Sequence, residues 1–352
     1  HLVDLKNLQT LESPEPHGQR FFISGNTHPD LREKLAQALG KISVSLVSLR
    51  DQEITGETVY LVSPPSQPAN ESLLKTLSEI YSLSQEKRAF VHLVSSYLPY
   101  ARSDKPEIAY GVSCQGSLVA KLLESVGLGA ITVVRPHAPQ SSGFFSVPNY
   151  VVSGRQTMTR YLKTSVSELD VVVSPDAGFQ KDATKYADAL NLPVLVMNKQ
   201  RSVTGEARLV ESTNLEGIRG KNVVIIDDEA SGGRTLVKVA TSLKAFGAKN
   251  IYAMVTHLSG AAKALLAAKG SVIKEVIVTD TLPIPGNIMS SIKVLSMAPE
   301  IAEHIKSLEG DVIKTRVAFD LGSAKLKLSV ALLNERTQQI EIKEKNIYRL
   351  GL

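Results

Sequence analysis

Tryptophan is absent from this 352-residue chain, and cysteine occurs once, as Cys114. One cysteine permits no internal disulfide, which points to a reducing, cytoplasmic compartment. Cys114 itself reads as a small packing residue rather than a nucleophile. No apolar run approaches the roughly 18 residues needed to cross a bilayer, so no membrane association is expected. The opening residues His1–Glu15 are polar, with acids and prolines, unlike a secretory signal. Aromatic residues make up only 5% of the chain and are not interleaved with a basic stripe. That disfavours nucleic acid as a partner. The net charge of +5 and a pI near 9.0 fit small anions. The basic residues are scattered, clustering only at Lys325, Lys327, Lys343 and Lys345.

What is present is ordinary globular material, 43% hydrophobic and 21% charged, enough for a sizeable core. The length predicts two domains of about 150 residues each. Short β-branched runs alternate with amphipathic stretches. Strands are predicted over residues 19–24, 58–63, 89–95, 130–135, 170–174, 193–197, 222–226, 250–256 and 275–279. Helices are predicted over 30–39, 71–83, 113–126, 181–190, 235–246 and 261–268, with Gly40, Gly127 and Gly247 at helix ends. The alternation predicts parallel sheets flanked by helices, twice over, with residues 18–148 and 149–308 as the two domains. Ligands of such sheets bind where strands end in loops. Residues 309–352 break the pattern and read as a β-hairpin extension, 316–332 with 338–347, or as the stub of a longer domain.

The most informative run is Val223–Leu236, VVIIDDEASGGRTL. A buried strand ends in Asp227 and Asp228, a flexible stretch Ser231-Gly232-Gly233-Arg234-Thr235 follows, and then a helix begins. A helix start offers unpaired N–H groups to an anion. Gly232 and Gly233 allow close backbone approach. Arg234 adds charge, and Thr235 is placed to donate its hydroxyl and to cap the helix. Two adjacent carboxylates can hold sugar hydroxyls directly or through Mg²⁺. The run thus reads as a cradle for a phosphorylated pentose.

It resembles the phosphoribosyl-diphosphate loop of type I phosphoribosyltransferases and ribose-phosphate pyrophosphokinases. Four further segments resemble the pyrophosphokinases in the same order: PYARSDK (99–105), RPHAPQSSGFF (135–145), SPDAGFQKDATKYAD (174–188) and NKQR (198–201). The resemblance covers about residues 18–308. It implies two tandem phosphoribosyltransferase-like domains. It also implies transfer of the diphosphoryl group of ATP to ribose 5-phosphate, with Mg²⁺, in a homo-oligomer of at least two chains. By it, Asp227, Asp228 and Ser231–Thr235 bind the ribose phosphate. Arg102 and His137 bind ATP, and His137 and Asp176 serve the metal. Lys199 and Arg201, on a mobile loop, stabilise the transferred group, with His137 as a third catalytic residue.

The chain departs from the family at defined positions. Arg135 stands where the family carries an aspartate before the histidine. Ser231 replaces a third acid, Arg234 a glycine, and Ser103 a glutamine. The aromatic-Ser-Asp-Gly-Glu hairpin that contacts adenine has no counterpart in Leu46–Glu57. Two alternatives to an active synthetase therefore stay open: a catalytically impaired, synthetase-like regulatory or ligand-binding subunit, and a phosphoribosyltransferase. The tail run VAFDLGSAKLKLSVALL (317–333) also resembles the first phosphate-binding hairpin of the actin and sugar-kinase ATPases, through Asp320, Gly322 and Ser323. A plain hairpin turning on glycine reads equally well there.

Overall fold

Valine and isoleucine runs make strands here because their branched side chains pack on both faces of a covered parallel sheet. The computed structural model describes residues 21–65, 68–106, 113–166, 168–201, 207–210, 215–260, 263–268, 272–310, 313–322, 325–334 and 339–349. It divides into two units, His1–Glu300 and Ile301–Leu352.

The first unit holds two parallel sheets. One is built from β1 (Phe21–Ser24), β2 (Thr58–Val62), β3 (Phe90–Ser95), β4 (Ala130–Val134) and β5 (Asn149–Val152), in that spatial order. Between the strands run α1 (Pro29–Leu39), α2 (Leu46–Arg50), α3 (Ala69–Tyr81) and α4 (Gln115–Ser125). After α5 (Arg155–Ser165) comes the second sheet, whose strands are β6 (Val171–Ser174), β7 (Val194–Val196), β10 (Asn222–Ala230), β11 (Asn250–Leu258), β12 (Glu275–Thr279) and β13 (Lys293–Leu295). Their spatial order is β13-β12-β11-β10-β6-β7. Its helices include α6 (Gln180–Leu190), α7 (Arg234–Ala245), α8 (Lys263–Ala268), α9 (Gly286–Met289) and α10 (Ala298–Gly310), the last running on into the second unit. A small antiparallel pair, β8 (Asn198–Arg201) with β9 (Ala207–Val210), stands apart.

Every strand expected from the β-branched runs is present within a few residues, and Gly40, Gly127 and Gly247 all take positive φ at helix ends. Several elements were not foreseen, the short α2, α9, β8 and β9 among them. β5 pairs in parallel with β4, so the first sheet reaches Val152, past the boundary drawn at residue 148. Helices α5 and α10 and the short β13, an edge strand of the second sheet, were likewise not foreseen. α5 is mostly polar, and its buried face is carried by Met158, Thr159 and Leu162. Its first turn is closed from far along the chain. The Glu300 carboxylate accepts from the N–H of Gly154 (2.9 Å) and of Thr157 (3.0 Å) and from the Thr157 hydroxyl (2.8 Å).

Several buried polar contacts join the two sheets' halves of the first unit. His28 Nε2 donates to the Asp280 carbonyl (2.8 Å), while its Nδ1 accepts from Leu31 N–H at the start of α1 (3.3 Å). Those two bonds together require the neutral ring, and burial does lower its pKa. The Ser96 hydroxyl donates to the Thr281 carbonyl (2.6 Å), and His257 Nε2 to the Arg135 carbonyl (2.9 Å).

In the second unit the expected tail hairpin is instead a three-stranded antiparallel sheet of β14 (Ile313–Gly322), β15 (Lys325–Asn334) and β16 (Gln339–Arg349). The run read as one strand over 316–332 is two, β14 to Gly322 and β15 from Lys325, paired antiparallel as the hairpin reading of 317–333 has it. Ser323 lies outside the described residues.

Candidate active site

β10 is the longest strand of its sheet together with β11, and its buried residues Val223–Ile226 anchor the acidic pair that follows. Val223 and Ile225 pack into the core on one face, Val224 and Ile226 on the other, as the two-residue strand period requires. Asp227 and Asp228 thus emerge where the sheet ends. A cavity of about 800 Å³ opens there. From the second sheet it is lined by Asp176, Gly178, Phe179, Asp182, Asp227, Asp228, Glu229 and the whole run Ser231–Thr235. From the first it receives Arg102, Arg135, Pro136 and His137.

The two carboxylates behave differently. Burial, then repulsion from Asp228, pushes the Asp227 carboxyl well above the usual aspartate range. Asp228 feels burial too, but the hydrogen bond and charge of His137 outweigh it and hold the carboxyl below that range. His137 Nδ1 meets Asp228 Oδ2 directly, and this bond raises the imidazole's pKa. Asp227 Oδ1 accepts from the Asp228 N–H (3.0 Å). The pair therefore shares its charge unequally, a pattern typical of functional carboxylates.

The loop after β10 has the cradle geometry in part. Ser231, Gly232 and Arg234 are exposed. Gly233 is the residue before α7, at φ 75°, and α7 has no side-chain cap. Thr235, expected to cap the helix, is the second residue inside it, so the first-turn N–H groups lack a side-chain partner and Thr235 offers its hydroxyl alone. Gly260 supports the loop from below: a Cβ there would lie 2.4 Å from the Ser231 carbonyl oxygen.

Arg102 reaches the cavity, and its Nε pairs with Glu229 Oε2 at 2.9 Å, across the two halves. Asp104 bonds to Gln140. Glu229 also accepts from the hydroxyls of Ser259 and of Tyr97 (3.3 Å). Burial, then Glu229, raises the Tyr97 phenol. Glu229 was not foreseen as part of the site: at a strand end a third acid reads as a solvated face. Asp176 stands at the cavity wall and at the start of a short turn. It lines the cavity, and its Oδ1 accepts from Phe179 N–H (3.3 Å) at the start of a 3₁₀ turn, Ala177–Phe179.

Arg135 is the sharpest departure. The residue is 7% exposed, and its Nη2 pairs with Asp182 Oδ2 at 3.0 Å. Its guanidinium carbon lies 5.0 Å from the Phe179 ring centre and 5.7 Å from that of Tyr186. Asp182 went unnoticed in the sequence because one acid in a helix names no partner. Lys199 and Arg201 stand on β8, so the start of the expected mobile loop is strand; their side chains lie outside the described set. Among the described residues no three His, Cys, Asp or Glu side chains converge as a metal cage. None of the described helices is long and apolar enough to cross a membrane.

Two tandem parallel sheets, with a phosphate-type loop at the end of the second sheet's β10, define the phosphoribosyl-diphosphate class of α/β proteins. Comparison with known proteins narrows this. Residues 21–127 match the family described as the N-terminal domain of ribose phosphate pyrophosphokinase, and residues 212–312 the phosphoribosyl synthetase-associated domain. A ribose-phosphate pyrophosphokinase of Caldanaerobacter subterraneus is 32% identical over 296 residues, 80% of this chain and 92% of the relative. Ribose-phosphate pyrophosphokinase 2 of Schizosaccharomyces pombe is 32% identical over 303 residues, covering 81% and 93%. The solved phosphoribosylpyrophosphate synthetase of Mycobacterium smegmatis superposes with a TM-score of 0.71 at 29% identity, over 82% of this chain and 98% of that one. The chain belongs to the ribose-phosphate pyrophosphokinase family.

Proposed function

We propose that this chain transfers the diphosphoryl group of ATP to the C1 hydroxyl of ribose 5-phosphate. AMP leaves, and 5-phosphoribosyl 1-diphosphate forms. The observation that carries the reading is the single cavity in which the β10 acids and the α7 phosphate loop from one half face His137 and Arg102 from the other. In this reading the 5-phosphate sits on Ser231–Thr235, with the α7 amides as donors and Arg234 as countercharge. Asp227 and Asp228 accept from the ribose hydroxyls and orient O1. O1 attacks the β-phosphorus as the bond from that phosphorus to the AMP oxygen breaks, and the hydroxyl proton passes to solvent. Such transfer depends on in-line positioning and on cations around the moving group. Arg102 supplies one such cation to the ATP phosphates, and Lys199 and Arg201 the others.

The donor set fits Mg²⁺ arriving on phosphates, which needs only one or two protein groups and no cage. His137 through Nε2, Asp176 and the acidic pair are the residues to hold it. The ion, when bound, neutralises phosphate charge. The set does not fit a carboxylate-bound ion at position 135. The reading extends, as the resemblance implies, to self-association and to a cytoplasmic setting. Light scattering of the purified chain tests the former.

Magnesium-dependent AMP release from ATP, with and without ribose 5-phosphate, tests the activity. Sugar-dependent release is expected, falling about a hundredfold or more in Asp228→Ala and Lys199→Ala. Arg135 in place of an acid favours a second reading, a non-catalytic ligand-binding subunit. Tight ribose 5-phosphate binding without AMP release would establish that one instead.

A further inference from the structure

The surroundings of Arg135 are built for a cation. Its backbone sits at φ 39°, a costly conformation for a residue with a Cβ, and is held from both sides. The N–H donates to the Val152 carbonyl (2.9 Å), and the carbonyl accepts from His257 Nε2 (2.9 Å). The side chain leaves the first sheet's half and enters the second's. There the planar guanidinium lies against Phe179 and Tyr186 and pairs with Asp182, the geometry that arginine satisfies and lysine does not. Phe179 in turn gives its N–H to Asp176. One side chain therefore connects the segment bearing His137 to the turn bearing Asp176, the two residues for which a metal role is expected.

We propose that Arg135 is a positioning residue: a guanidinium link to Asp182 and Phe179 that holds the His137 and Asp176 segments in register without a metal ion between them. This wall of the cavity is then complete in the apo protein without metal, and Mg²⁺ serves the phosphates alone. The inference rests on the proposed reading in that those two segments are taken to frame the substrates. It also accounts for a buried residue whose Nε has no hydrogen-bond partner within the protein, since stacking and the Asp182 pair fix the group without it.

Amide hydrogen exchange over residues 136–139 and 177–180 tests the proposal. The full chain and the variants Arg135→Ala, Arg135→Lys, Arg135→Asp and Asp182→Asn are each measured in chelator and in Mg²⁺. Wild type is expected to protect both segments equally in the two conditions. Arg135→Ala and Asp182→Asn are expected to speed exchange in both segments together by about tenfold or more, with Arg135→Lys in between. Arg135→Asp is expected to regain protection only when Mg²⁺ is added. Ribose 5-phosphate affinity, set by the α7 loop, should change less than about twofold in Asp182→Asn. Protection in wild type that needs Mg²⁺, or an Asp182→Asn protein unchanged in either segment, overturns the proposal. Should Arg135→Ala fail to fold, Asp182→Asn and Arg135→Lys still decide it. Exchange requires no turnover, so absence of AMP release in wild type would defeat the proposed reaction while leaving this result standing.

Discussion

At the residue scale the site is a set of unequal charges. Asp227 carries a carboxyl raised chiefly by burial, so its ionised form is disfavoured in the fold. A raised folded-state pKa contributes stability that is complete below the ordinary aspartate value near 3.8 and is lost as pH climbs through the raised value. Asp227→Asn should therefore leave the melting temperature unchanged at acid pH and raise it at alkaline pH. Melting curves across that window check this, and a variant that melts lower at alkaline pH refutes the assignment. Glu229 poses a different question. Its carboxylate side chain is 8% exposed, but the partner Arg102 is 55% exposed. Solvent screening on the arginine side limits the pair to about 0.5–1 kcal/mol. Glu229→Gln should then raise the KM for ATP about two- to fivefold with little change for ribose 5-phosphate. A hundredfold loss would mean that Glu229 touches substrate itself.

At the scale of elements, two glycines serve the phosphate loop with opposite demands, Gly232 within it and Gly260 packed against it. Nothing lies within 4 Å of a Cβ added at Gly232, so Gly232→Ala should leave stability within about 0.5 kcal/mol. A ligand drawn against that backbone would meet the new methyl, and ribose 5-phosphate affinity should fall about tenfold. Gly260→Ala instead drives into the Ser231 carbonyl and should cost about 1–3 kcal/mol before any ligand is added. Calorimetry and thermal melts on the pair separate the two cases. These elements also mark what was legible in the sequence. Strands with three or more consecutive valines or isoleucines announced themselves, as did the loop Ser231–Thr235. β5, with Asn149 and an exposed Val151, carries too little apolar pattern to be seen, and α5 shows only Met158 and Leu162 as large apolar anchors. The partners Glu229 and Asp182 were hidden because a pairing across 127 residues for Arg102, or 47 for Arg135, leaves no local trace. What the alphabet of residues does carry is which groups sit at strand ends; which of them meet is decided by the packing of the two halves.

On the scale of the whole molecule, the hydrophobic clusters of both sheets lie between Leu49 and Leu295. A chain ending at Gly310 should therefore fold, keep its ribose 5-phosphate affinity within about twofold, and lose only the three-stranded sheet of the second unit. A shortened chain that no longer binds the sugar phosphate would make that sheet part of the working protein. The family relationship runs over four fifths of the chain, while the departures at positions 135, 231 and 234 line one cavity. Divergence here has reworked one wall of a site and kept the frame.

Glu300 adds a constraint on timing. Because its carboxylate closes a helix begun at Arg155, that helix has no finished start until nearly the whole first unit has left the ribosome. The first sheet can assemble on the emerging chain, whereas the second must wait, its polar helix unlatched, for a residue roughly 150 positions downstream.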